Sequence, residues 1–286
     1  MVKAFATLLV VFLVTGCQSA GLYLANVAND TDSYYAKRGV AYGKEPWQKL
    51  DVYWPKDYGE STPIIVFYYG GSWTKGSKDE YEFVASRFVE DGFIVIIPDY
   101  GKYPDAVYPN FVEDAAEVTK WLDINVEAIS GGRENIHLIG HSAGAHIGAM
   151  LIADERFLAA QSLAPNFYRS FIGISGPYSF TPGIKRYQDI FGPEEKYPLM
   201  QADRFIDGDE PPMLLLHAER DWLVNKSNME KMVAAIDKAG GIVSTSSYES
   251  LGHLSIIGSF SNAFPIGDDV ANDIVTFINE QAGGFN

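Results

Sequence analysis

The stretch "HLIGHSAGAHIGA", residues 137–149, decides how the rest of the chain is read. Its centre, Gly140-His141-Ser142-Ala143-Gly144, fits the pattern G-x-S-x-G. An apolar run ending at Ile139 precedes it, and the small apolar segment Ser142–Ala153 follows. That order predicts a strand, a sharp turn and a helix, with Ser142 at the apex. A serine held there sits in a strained backbone. Bulk two residues before or after would collide with the neighbouring strand and helix, which is the physical use of Gly140 and Gly144. The plainer alternative is a small-residue turn, and the strand–turn–helix context argues against it.

Working outward, several short apolar runs are bounded by turn residues: Ile64–Tyr69, Phe93–Ile97, Ile136–Ile139, Phe171–Ile174, Met213–Leu216 and Ile242–Tyr248. Most are continuous rather than alternating, as in strands buried on both faces of a parallel sheet. Leu50–Trp54 reads as an earlier edge strand ending at Pro55. Between the runs lie helical patterns at Glu80–Glu90, Asn110–Val126, Ser142–Ala153, Lys226–Ala239 and Asp269–Gln281. In Asn110–Val126 the residues Phe111, Ala115, Val118, Leu122 and Val126 share one face. Strands alternating with helices predict an α/β architecture, a mainly parallel, doubly wound sheet with helices on both faces. The polar, proline-bearing segment 178–210 breaks the rhythm. It reads as a small cap over the C-terminal ends of the strands, where α/β folds bind ligands.

The chain has 286 residues, 47% of them hydrophobic, and a net charge of −15. Such a composition supports a full core, and its acidity repels phosphate backbones, which excludes nucleic acid as a natural partner. The single cysteine, Cys17, excludes an internal disulfide. Residues 1–16 carry a short basic start, the apolar run Ala4–Val14 and then Thr15-Gly16. This predicts a signal peptide, too short for a comfortable membrane span. Val14-Thr15-Gly16-Cys17 resembles the lipobox of bacterial lipoproteins. That resemblance implies lipidation at Cys17, a tether over 17–31, a catalytic domain over 32–286, and a place in the cell envelope on a lipid anchor. An ordinary secretory signal is the alternative.

A serine hydroxyl needs a base, and the base needs an orienting acid. Of the five histidines, only His253 lies after the last core strand and leaves room for an acid between itself and Ser142. That is the order serine, acid, histidine expected when the nucleophile sits on such a turn. Asp221 lies just past the strand Met213–Leu216 and is the candidate acid, with Glu219 as runner-up. The fixed N–H donors for a developing oxyanion would be Ala143, next to the nucleophile, and groups of the loop Tyr69-Gly70-Gly71-Ser72-Trp73. His137, His141 and His146 are close in sequence but have no acidic residue among them, so a metal site is not expected.

These segments together resemble the α/β-hydrolase carboxylesterases related to hormone-sensitive lipase and kynurenine formamidase. The resemblance runs from about Leu50 to Ile278. "YYGGSW" (68–73) resembles the H-G-G-G-[FW] oxyanion loop of that family. "PDYGKYPDAVYPNFVEDAAEVTKWL" (98–122) resembles its D-Y-R-x-x-P segment and the Asp-bearing helix after it. "IGHSAGAHIG" (139–148), "PPMLLLHAERDWLV" (211–224) and "YESLGHLSIIGSF" (248–260) resemble its serine, acid and histidine loops. The resemblance implies an α/β-hydrolase fold with a triad of Ser142, Asp221 and His253. It also implies oxyanion donors at Gly71, Ser72 and Ala143, and no cofactor. It implies a small-molecule ester as substrate, with Trp73 and Trp222 as pocket-lining candidates. The same triad serves amide hydrolysis, and a silent lipid-anchored binding protein is the reading from another class. Three departures stand out: Tyr69 replaces the usual His, Ser72 the third Gly, and Gly101 the Arg that commonly braces the site.

Overall fold

The computed structural model describes residues 21–27, 29, 31–129, 133–264 and 270–283. The strands are β1 (Tyr34–Ala41), β2 (Lys49–Pro55), β3 (Ile64–Tyr68), β4 (Ile94–Pro98), β5 (Ile136–His141), β6 (Ser170–Ile174), β7 (Met213–Ala218) and β8 (Val243–Tyr248). The helices are α1 (21–27), α2 (Glu82–Glu90), α3 (Asn110–Ile129), α4 (Ala143–Ala153), α5 (Arg156–Ala160), α6 (Lys185–Phe191), α7 (Ser227–Ala239), α8 (Ser255–Gly258) and α9 (Val270–Gly283).

One eight-stranded sheet has the order β1-β2-β4-β3-β5-β6-β7-β8. From β4 to β8 all neighbours are parallel, while β1 and β2 run antiparallel at one edge. Every residue of β3, β4, β5, β6 and β7 is buried, the consequence of helices covering both faces. At the far edge β8 reads "VSTSSY" and is largely exposed on one side. The expected edge strand at Leu50–Trp54 is present as β2, but it is not the edge. β1 pairs outside it, and only its first residue, Tyr34, is buried. A strand with so few core contacts leaves little apolar pattern to read.

Helix α4 is buried along its whole length. Its small residues make that possible: a Cβ added at Gly148 would lie 2.7 Å from the Phe171 ring of β6. The segment 178–210 departs from the strand–helix alternation, folding into α6 and the short 3-10 turns Glu194–Met200 and Ala202–Arg204.

The signal region and Cys17 lie outside the described residues. Part of the expected tether does not hang free. Helix α1 buries Leu22 and Ala25 against the domain. Asn26 Oδ1 accepts from the Phe83 N–H at 2.9 Å, and the Ala25 carbonyl accepts from Ser261 Oγ at 2.9 Å. Among the described residues, no helix is long and apolar enough to cross a membrane.

Candidate active site

Strand β5 delivers Ser142 to a tight turn into α4. Ser142 has φ 55° and ψ −120°, a conformation that L-residues rarely adopt. Its N–H is held by the Ile174 carbonyl at 2.9 Å, at the end of the adjacent strand β6. The two glycines are required by contact. A Cβ at Gly140 would lie 2.4 Å from the Gly144 carbonyl oxygen, and one at Gly144 would lie 2.0 Å from the Tyr68 carbonyl oxygen of β3. Both obstacles are backbone, so neither can rotate aside.

The loops after β7 and β8 bring Asp221 and His253 to the same place. His253 Nε2 lies 2.8 Å from Ser142 Oγ, and His253 Nδ1 lies 2.7 Å from Asp221 Oδ2. An ionised Asp221 accepts only, so Nδ1 carries the proton and Nε2 is free to accept from the serine hydroxyl. The second oxygen of Asp221 accepts the N–H groups of Leu223 and Val224, each at 2.9 Å. Burial pushes Asp221 up. The His253 hydrogen bond and charge, with those two N–H groups, outweigh it and hold the carboxyl below its ordinary range. The runner-up, Glu219, pairs with Lys226 at the surface instead.

The loop after β3 lies directly on the nucleophile: a Cβ at Gly70 would sit 2.9 Å from the Ser142 Cβ. Gly71 has φ 148°, while Ser72 and Trp73 follow at φ 54° and 57°. This left-handed run bends the loop so that the Gly71 carbonyl accepts from Thr74 and Lys75, at 3.1 and 3.2 Å. The N–H groups of Gly71 and Ser72 then donate to no backbone carbonyl among the described residues. Ala143 opens α4, so its N–H is one of the helix's first, intrinsically unpaired donors at the positive end of the helix dipole. Ser72, where the resembled motif has its third glycine, holds the left-handed φ of 54°.

Trp73 is buried in an aromatic cluster. It stacks on Phe180 at 5.7 Å and meets Phe191 edge-on at 4.8 Å and His146 at 5.3 Å. Phe180 and Phe191 come from the cap segment, so the cap closes over this side of the site. Trp222 behaves differently from the expectation. It is 72% exposed. The cause is the turn at Asp221: its oxygen draws the Leu223 and Val224 N–H groups inward, which turns Trp222 out.

The other histidines have separate partners. His137 Nδ1 meets Ser170 Oγ at 2.8 Å, and His146 Nε2 donates to the Met200 carbonyl at 2.7 Å. Burial lowers both, His137 to about 4 and His146 to about 4. His141 is the residue that sequence reasoning undervalued. Its Nε2 donates to the main-chain carbonyl of His253 at 3.0 Å, with the two rings 4.9 Å apart. Burial drops it to about 3, so it stays neutral beside the catalytic imidazole. Only the unusual polarity of the residue before Ser142 could have hinted at this. Strand β5 and the β8–α8 loop are far apart in sequence.

Comparison with known proteins agrees with this geometry. Residues 114–250 match the family model "Serine hydrolase (FSH1)", and residues 50–165 match the model "BD-FAE". The chain is 25% identical to an isoprenylcysteine alpha-carbonyl methylesterase of Arabidopsis thaliana, over 87% of this chain and 63% of that protein. It is 27% identical to the kynurenine formamidase of Danio rerio, over 76% of this chain and 74% of that one. Against the first plant relatives it spans only 56% to 63% of their length. Esterase B of Lactobacillus rhamnosis superposes with a TM-score of 0.81, at 14% identity, covering 99% of this chain and 97% of that one, which establishes the shared fold. With the elbow, the loops and these matches in agreement, the chain has the α/β-hydrolase fold and matches serine-hydrolase models over its central part, and its relatives include carboxylesterases and kynurenine formamidase.

Proposed function

We propose that the protein is a serine carboxylesterase acting on small esters through an acyl-enzyme. One observation carries the reading: an unbroken hydrogen-bonded line from Ser142 Oγ through the His253 ring to Asp221, with Ser142 at the apex of a strained elbow. As Ser142 Oγ attacks the ester carbonyl carbon, its proton passes to His253 Nε2. Asp221 stabilises the imidazolium that forms. The carbonyl oxygen becomes an oxyanion facing the Gly71, Ser72 and Ala143 N–H groups, where each preorganised donor contributes on the order of 10²–10³ in rate. His253 then protonates the leaving alcohol. Water repeats the attack, with His253 again taking the proton, and the acid is released.

The acyl side favours a short group. Trp73, Phe180 and Phe191 form a bulky aromatic wall on the cap side, which supports a short acyl group. An amide substrate is the second reading, because the formamidase relative matches most of both chains. A lipid anchor at Cys17 places the enzyme at a membrane surface of the cell envelope. It is supported by the lone cysteine after an apolar run.

A fluorophosphonate probe labels the folded wild type, and Ser142→Ala abolishes labelling. Unlabelled, folded wild type overturns the proposal. p-Nitrophenyl acetate set against a formanilide decides ester or amide. Cys17→Ser releases the protein from membranes if the anchor is real, and unchanged membrane association rejects it.

A further inference from the structure

The loop after β3 is clamped at both ends by residues 99–103. Position 101 has no room for a side chain. A Cβ at Gly101 would lie 2.6 Å from the Ala106 Cβ, 3.1 Å from Asp114 Oδ2 and 3.1 Å from the Trp47 ring. Asp114 in turn holds the Gly101 N–H at 2.6 Å. The next residue supplies a cation. Lys102 Nζ donates to Tyr69 Oη at 2.9 Å and to the Tyr100 carbonyl at 3.1 Å, and it lies 3.8 Å from Asp99 Oδ1.

Tyr69, where the family often has His, is the other half of the device. Its hydroxyl donates to Asp99 Oδ1, and that oxygen also accepts the Lys78 N–H at 2.9 Å. Its ring is stacked between Tyr81, at 5.2 Å, and Tyr100, at 4.9 Å. Its carbonyl is gripped by the Tyr100 hydroxyl at 2.9 Å. The far side of the loop is caught by the same segment, because the Tyr103 N–H donates to the Trp73 carbonyl at 2.8 Å. Gly70, Gly71 and Ser72 therefore span a gap whose two ends, Tyr69 and Trp73, are both pinned to residues 99–103. The left-handed angles at Ser72 and Trp73 are ones that residues with a Cβ seldom hold unaided. Something outside the loop must hold it.

We infer that Lys102, acting through Tyr69 and Asp99, is a positioning residue that holds the Gly71 and Ser72 N–H groups over the Ser142 nucleophile. Lys102 neutralises Asp99 in a half-buried setting and ties the phenol into the pair, so the loop keeps one geometry. The inference rests on the esterase reading for its catalytic consequence and on hydrogen bonding for its structural one. The two are tested separately.

Hydrogen exchange in the intact protein reads the structural arm. In Lys102→Met the amides of Thr74 and Lys75, which close the loop onto Gly71, exchange at least tenfold faster, while those of α7 do not change. Unchanged exchange at Thr74 and Lys75 overturns the inference whatever the activity. Hydrolysis of p-nitrophenyl acetate reads the catalytic arm. We expect kcat to fall at least tenfold with KM within twofold. Faster exchange with unchanged kcat in an active enzyme also overturns the inference. Arg156→Met removes a cation bound to the buried Asp154 instead. It serves as the control: it lowers Tm but leaves kcat unaltered, and an equal loss of kcat there assigns the effect to general destabilisation and rejects the proposal. If Lys102→Met fails to fold, Tyr69→Phe keeps the ring stack and deletes only the bridging hydroxyl, with the same two outcomes deciding. If wild type hydrolyses no ester, the esterase reading falls and the exchange result alone decides the inference.

Discussion

Asp221 and His253 stand 32 residues apart in the chain, and their side chains meet at 2.7 Å. The two loops that carry them follow neighbouring parallel strands, β7 and β8, so the sheet register brings the pair together. Asp221→Asn removes the acceptor that fixes the His253 tautomer. We expect kcat to fall about 10⁴-fold with the fold intact, since a wrongly oriented or wrongly protonated imidazole cannot take the serine proton. Steady-state kinetics on p-nitrophenyl acetate checks it, and a loss under tenfold is incompatible with Asp221 as the acid.

The same carboxylate carries a pH signature. Burial raises Asp221, but His253 and the Val224 and Leu223 N–H groups hold it below its ordinary 3.8. A group depressed in the folded state contributes stability above its unfolded value and loses it as pH falls through the folded value. The stability gap between wild type and Asp221→Asn, measured by urea unfolding at pH 5, therefore shrinks as the pH drops below about 4. A gap that widens there contradicts the assignment.

Gly144→Ala places a methyl 2.0 Å from the Tyr68 carbonyl oxygen. Neither α4 nor β3 can retreat without unpacking the core, so the change costs roughly 1–3 kcal/mol or more. It also moves Ser142. A lower Tm together with lost fluorophosphonate labelling is the expected result. Normal labelling would show that the elbow has slack the packing does not suggest.

Ser72 holds φ 54°, an angle glycine adopts without a Cβ penalty. Ser72→Gly removes that strain and adds unfolded-chain entropy, leaving a net gain of up to about 1 kcal/mol. The donor is a backbone N–H, so kcat stays within threefold. Urea unfolding and kinetics on the same preparation test both halves.

Phe191 packs edge-on against Trp73 at 4.8 Å and belongs to the cap helix α6. Phe191→Ala opens space beside Trp73, on the cap side of the oxyanion loop. The ratio of kcat/KM for p-nitrophenyl octanoate over acetate is expected to rise at least tenfold. An unchanged ratio would place the acyl group elsewhere.

Much of this was readable in the chain because it depends on local chemistry. The apolar runs at β3 to β7 announce strands covered on both sides. Gly140 and Gly144 announce an elbow, since no other residue fits those contacts. Ser142, Asp221 and His253 can meet because parallel strands β5, β7 and β8 present their following loops at one end. Three things were set only by packing in three dimensions. Helix α1 is docked through Asn26 and Ala25 rather than hanging as a tether, because its partners, Phe83 and Ser261, are distant in sequence. Trp222 faces solvent because the hydrogen bonds of Asp221 rotate the loop, and no composition or period encodes that rotation. The support for the oxyanion loop comes from Lys102 and not from position 101, because Trp47, Ala106 and Asp114 close the space there. Spacing along a chain decides which groups can emerge at one end of a sheet; which of them touch is decided by the contacts that distant segments make when they pack.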